Sequence, residues 1–396
     1  MMKKYRFHVW VLLFLTVVLL TSCTKEQKSK QQDNCVLFLY GVDTYSEDYV
    51  LYSGGSNPRL FYDIATGESG PYCFEPGCEH QRAVYSEQGE LIQPGCSAYD
   101  YLELSVFPLG DFLYYYSSGC LYQADRKGNN RKLITRLSKP YERPAVCCYT
   151  EEALYISYSF SYEYTLEADS SGKSIWRAGK KKEKPEVGVL RIPYAGTGEE
   201  ILYHSDEFYE MQIAEIAYHG GKVVFRVLGL DRPSEDFDLT APDASDWIAE
   251  ERKHTFSEAY CYKTATGDLT HLWAPRRYTK SYFFENSYGF MDETGTMELY
   301  HYEGARIGES EDALWEVFPS THNIVGWDKN TLEGVMLSDE TGKEMKRSPL
   351  TWEDFNLYAV AGDSYYGFVG NKKAYISAND FWAGKKEGIR LFPNQE

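Results

Sequence analysis

The chain has 396 residues, of which 43% are hydrophobic and 16% aromatic, and its formal net charge is −18. Removing residues 1–22 takes away Lys3, Lys4 and Arg6 and leaves −21, a balance that argues against nucleic acid as a partner. The rest is long enough to bury a large core, as two or three domains or as one extended all-β unit.

In chain order, the first element is a leader. Lys3, Lys4 and Arg6 form a basic start, Val9 to Leu20 form an apolar run too short for a durable membrane span, and Leu20-Thr21-Ser22-Cys23 closes it. This last stretch resembles the lipobox of bacterial lipoproteins. The resemblance implies cleavage before Cys23 and acylation of its thiol, so Cys23 is the expected lipidation site. An ordinary signal peptide that happens to end in Cys is the plainer alternative. Residues 24–34 are polar and aperiodic and read as a tether, which gives an exported chain held by lipid at the outer face of the cell membrane.

From residue 35 onward apolar and polar residues alternate with a period of two, as in "DFLYYYSS", "ALYISYSF" and "KVVFRVLG". Paired strands recur with a glycine turn at Gly67, Gly128, Gly198, Gly267, Gly304, Gly342 and Gly384. The last three intervals are 37, 38 and 42 residues, the size of a four-stranded blade. The earlier intervals are longer and contain insertions. An all-β fold is therefore predicted for residues 35–396: a single β-propeller of seven four-stranded blades, with six or eight as alternatives and a pair of β-sandwiches as the competing architecture. The insertions are 73–101, 161–187 and 231–256. Antiparallel order within each blade places all three on the face that carries the b–c and d–a connections.

The first insertion carries chemistry. Its spacing is Cys73-x4-Cys78-x-His80-x15-Cys96, with a Pro-Gly pair before Cys78 and before Cys96. Such pairs favour tight turns that leave a thiolate beside free backbone N–H groups. Four ligands of this kind suit a closed, structural zinc site. A disulfide among the three cysteines is the competing reading, since disulfides persist in exported proteins. The segment also resembles one in lipid-anchored, propeller-like proteins of gut Firmicutes, in which Cys-x4-Cys-x-His and a later Cys follow the first blade; Cys73, Cys78, His80 and Cys96 match, as does the lipobox. The gap before Cys96 is longer than that pattern has. The resemblance implies no activity. Cys35, Cys120 and Cys261 read as buried thiols, and Cys147 and Cys148 as neighbours pointing to opposite faces of one strand.

Other signatures are weak. "SSGKS" at 170–174 lacks the first glycine of a phosphate loop, and neither a Gly-x-Ser-x-Gly elbow nor a His-Glu-x-x-His pair occurs. Asp236, Asp238 and Asp243 could hold calcium but lack the pattern of a known loop, so a solvated acidic loop is the better reading. Most of the 35 tyrosines belong to strand packing. Trp176 and Trp247 lie in the polar insertions and are the candidate ligand contacts; Trp382 lies near the last turn. These observations predict a monomeric envelope lipoprotein that binds a glycan or another envelope protein. The alternatives are a carbohydrate-active hydrolase or lyase with carboxylates at the channel mouth, which would gather perturbed ionisable groups in one pocket, and a purely structural protein.

Overall fold

The computed structural model describes residues 37–393 apart from 39–43, 47, 54–58, 74–77, 83, 87–90, 94–95, 97, 99–104, 118, 127–129, 140, 142–145, 169–173, 237–249, 278 and 320–322. Seven antiparallel sheets follow one another along the chain, at 44–71, 105–136, 146–205, 209–277, 280–309, 314–351 and 356–391. Each contributes four strands in sequence order, a to d, so the chain is a seven-bladed β-propeller. Residues 34–396 form one unit; Cys23, the leader and the tether lie outside the described residues.

The strands read as nearly continuous apolar runs because each blade is covered on both faces. Seven buried clusters, one per blade-to-blade step, close the ring. In blade 1, Tyr49 and Leu51 face blade 2, while Val50 and Tyr52 face blade 7. In blade 3, Cys147 and Tyr149 pack toward blade 2, whereas Val146 and Cys148 pack toward blade 4. This is the two-fold alternation of a strand, and it puts the adjacent thiols on opposite faces. Cys120, Cys147, Cys148 and Cys261 are buried and unbridged.

The c–d turns repeat one geometry. The N–H of Gly67, Gly267 and Gly342 donates to the carbonyl four residues earlier, on Asp63, Lys263 and Ser338, and each glycine has φ near +75°. That conformation costs an L side chain energy, which is why Thr-Gly recurs there. The seventh glycine, Gly384, does a different job. It follows a helix at Ala378–Trp382, capped by the Ser377 hydroxyl, which accepts from the Asp380 N–H. Trp382 belongs to that helix and donates to the Tyr365 hydroxyl at 3.0 Å.

Among the described residues no strand crosses from blade 7 to blade 1. Tyrosines hold that seam: the Tyr366 hydroxyl donates to the Ser46 carbonyl at 2.5 Å, and the Tyr52 hydroxyl to the Pro393 carbonyl at 2.6 Å. The Tyr358 and Tyr45 hydroxyls bond each other beside them. The first described strand, Leu37–Phe38, instead pairs antiparallel with strand a of blade 3, Val146–Tyr149, on its free inner edge.

The first insertion follows strand d of blade 1, and the second and third join strands b and c of blades 3 and 4. By strand direction all three share one face, here the insertion face; the c–d turns lie on the other. The structure differs from the sequence reading at 161–187. This segment is no polar loop but a continuation of strands Ala153–Ala168 and Ser174–Pro193, which pair out to Ala168↔Ser174. Among the described residues no helix is long and apolar enough to cross a membrane.

Candidate metal centre

Three short features build the cluster. Tyr72, buried between blades 1 and 2, takes a hydrogen bond path from blade 1 through its N–H to the Arg59 carbonyl and so fixes where Cys73 leaves the sheet. A small hairpin, Val84–Tyr85 with Leu91–Gln93, then folds the long spacer back on itself. Cys96 returns beside the start of that spacer, its N–H donating to the Gln81 carbonyl at 2.8 Å, and the buried Ala98 holds the far end. The fifteen residues between His80 and Cys96 are thus long in sequence and short in space.

The outcome is that Cys73, Cys78, His80 and Cys96 each bring one ligand atom to within 4.8 Å of the others. Cys96 Sγ lies 3.5 Å from His80 Nδ1. Zinc–sulfur bonds of about 2.3 Å and zinc–nitrogen bonds of about 2.0 Å at tetrahedral angles give an S···N edge of about 3.5 Å, so this spacing suits a shared ion. Two backbone donors face the sulfurs: His80 N–H to Cys78 Sγ at 3.4 Å and Ala98 N–H to Cys96 Sγ at 3.3 Å. Both run from residue i+2 to the sulfur of residue i, the pattern that stabilises a thiolate after a tight turn. The Pro-Gly pairs themselves lie outside the described residues. His80 has φ +54°, a left-handed conformation that turns its ring back toward Cys96.

Cys96 is 8% exposed, and the other three residues are half-buried. Burial pushes the Cys96 thiol up to about 12; the Ala98 N–H works against this, and the neighbouring Cys73 and Cys78 thiols add to it. Three thiols so close cannot ionise together without a cation between them. All four positions are filled by protein atoms, so a bound ion would have no open coordination site for substrate.

The remaining candidates are spread out. Trp176 lies on the blade 3 ribbon and is 39% exposed. Trp247 lies outside the described residues, as do Asp238 and Asp243. Asp236 is exposed at the end of a short 3₁₀ turn, Ser234–Asp236. Its neighbour Asp231 is taken up by His254 Nδ1 at 2.9 Å and by Arg277 at 3.3 Å; burial raises its carboxyl, but these partners outweigh it and hold the group low.

The carboxyls raised by burial do not gather in a cleft, and where two perturbed carboxyls do meet, Asp312 and Asp328, they are tied up by Arg347. Burial raises Glu215, Glu316 and Asp339, with Arg226 opposing the shift at Glu215, Lys280 at Glu316 and Asn286 at Asp339. None of the three lines the cleft of about 430 Å³ on the turn face, which is bordered by Lys222, Asn286, His301, Tyr302, Glu303, Glu340 and Thr341. Sequence reasoning missed the surface features of the ribbon, where Tyr162 and Leu166 join Trp176; alternation at 162, 164 and 166 was the available signal.

No protein-family model matches the chain, and no curated protein does. Three of the solved structures similar to it are the computationally designed Ika8 protein (10% identity, TM-score 0.38, covering 92% of this chain and 97% of that one), the Dos1 propeller (9%, 0.37, 85% and 89%) and BamB from Moraxella catarrhalis (10%, 0.35, 93% and 98%). Likeness at this level says nothing about ligand or partner.

Proposed function

We propose that the chain is an exported lipoprotein, anchored through acylated Cys23, whose propeller presents a binding surface for a glycan or another envelope component on its insertion face. The observation that carries this reading is the concentration of all three long insertions on one face of a closed, rigid ring, with the Cys3His cluster holding one of them to the core. Three sulfurs and one imidazole suit zinc above harder cations, and a closed ligand set suits a structural role. Zinc is the proposed ion, and Cys73, Cys78, His80 and Cys96 are its proposed ligands. It would tie Cys73, Cys78 and His80 to Cys96 across the hairpin that separates them.

Two measurements test the reading. Membrane fractionation of cells should find the chain with membranes, and Cys23→Ala should release it to the soluble fraction. The full chain in detergent should co-sediment with isolated cell-wall fragments and liberate no soluble sugar from them. Failure to sediment would end the binding reading; steady release of reducing sugar would replace it with hydrolysis.

A further inference from the structure

The blade 3 ribbon has two unlike faces. Leu154, Ile156, Tyr158 and Phe160 pack toward blade 2, and strand b runs on through Tyr162, Tyr164 and Leu166, with the register against strand c shifting between Phe160 and Tyr162 and between Tyr162 and Tyr164. Tyr164 still leans on that cluster, with its ring 5.8 Å from Phe160, whereas Tyr162 is 40% exposed and Leu166 55%. Cross-strand partners share a face. Trp176 is paired with Leu166, Ala178 with Tyr164 and Lys181 with Tyr162, so these residues join the same side. The opposite side carries Glu163 and the Glu167–Arg177 ion pair at 2.7 Å.

This aromatic side rises over blade 2. Strands b and c of blade 2, Phe112–Ser117 and Cys120–Asp125, are joined by only two residues, so blade 2 is low on the insertion face. On its other flank stands the Cys3His segment, at the step from blade 1 to blade 2. An aromatic wall with three large apolar side chains in water is not explained by packing within the chain.

Charge indicates what would cover it. The chain carries −18 overall, yet Lys181, the partner of Tyr162, and Lys180, in the register shift next to it, lie exposed, and neither has a carboxylate partner among the described residues. Unpaired cations on an acidic protein are points where an anion is admitted and a neutral or cationic partner is not favoured. A flat indole beside aliphatic and phenolic surface suits the apolar C–H face of a sugar ring.

We propose that the aromatic side of the ribbon, with Trp176, Leu166, Tyr162, Lys180 and Lys181, is a contact surface for an acidic polysaccharide lying across the top of blade 2. This rests on the binding-module reading above and names its ligand class.

The test measures binding of the full chain, in detergent, to polygalacturonate, with neutral dextran, polyphosphate and vesicles of equal phosphatidylglycerol and phosphatidylcholine as comparators. The expected result is salt-sensitive retention of polygalacturonate, weakened at least about tenfold by Trp176→Ala and by the Lys180→Glu/Lys181→Glu pair. Leu269→Ala, an exposed apolar site on blade 4, should change nothing. Equal retention of polyphosphate with no effect of Trp176→Ala would overturn the proposal, since charge alone would then suffice. Retention on vesicles without polygalacturonate binding would replace it with a membrane contact. Co-sedimentation with cell-wall fragments that survives both ribbon variants would overturn the ribbon assignment and leave the module reading standing; loss of that co-sedimentation in the unaltered chain would remove both.

Discussion

Tyr366→Phe together with Tyr52→Phe should open the ring at the blade 7 to blade 1 seam. Every other step of the ring is also joined by continuous chain, but among the described residues side chains alone join this one. The Tyr366 hydroxyl is buried and bonded to the Ser46 carbonyl at 2.5 Å, so its removal strands a buried acceptor at a cost of about 1–3 kcal/mol. The Tyr52 hydroxyl meets the Pro393 carbonyl at 2.6 Å in a partly wet position, worth about 0.5–1 kcal/mol. Neither change alters the apolar packing of the rings, so the double variant should lose about 1.5–4 kcal/mol. With about 2.1 cal/mol/K of unfolding entropy per residue, each kcal/mol lowers the midpoint of a unit this long by roughly 1.3 °C. Differential scanning calorimetry should therefore show a fall of about 2–5 °C, and limited proteolysis should attack blades 1 and 7 first. Tyr162→Phe, on the exposed ribbon, is the control. An unchanged midpoint, or first cleavage within blades 3 to 5, would refute the seam as the weakest step.

Arg347 ties together Asp328 at 2.9 Å, Asp312 at 3.2 Å and Glu344 at 2.6 Å in blade 6. Arg347→Met should cost about 2–3 kcal/mol by urea unfolding at pH 7, below the full price of an unpaired buried charge because Asp328 keeps the Asn330 and Thr331 N–H bonds. Burial acts to raise the Asp328 carboxyl, but Arg347 and those N–H groups outweigh it and hold it low. A depressed folded-state carboxyl contributes stability above its unfolded pKa of about 3.9 and loses it as pH falls through the lower folded value, so the gap between variant and parent should shrink below about pH 4. Gly326→Ala should destabilise blade 6 strongly, since an added Cβ would lie 2.5 Å from the Glu316 carbonyl oxygen, a backbone atom that cannot step aside; a thermal melt reads the loss.

The propeller was legible because two signals repeat: Thr-Gly at the c–d turns, where only glycine takes the left-handed conformation cheaply, and apolar runs such as Tyr49 to Tyr52 that face a neighbouring blade on both sides. Strand c of the ribbon was not legible, although strand b showed its alternation at 162, 164 and 166. "GKKKEK" has the composition of a loop, and strands that project into water need no buried face, so no periodic apolar pattern marks Ser174–Pro193 to its tip. The helix at Ala378–Trp382 is too short to show a helical period, although Ser377 and Asp380 form a capping pattern. At the metal centre all four residues were readable, Cys96 through the Pro-Gly pair it shares with Cys78, and what was not readable is how the long gap before Cys96 closes. Its fifteen-residue separation from His80 is closed by a hairpin of few residues, and such short pairings carry little sequence signal.

Metal and thiol content of the full chain, purified anaerobically in detergent without added zinc, tests the central claim most directly. The account predicts about one equivalent of zinc, lost together with thermal stability in Cys78→Ser and untouched in Cys261→Ser. Absence of metal, with a disulfide joining two of Cys73, Cys78 and Cys96, would contradict it.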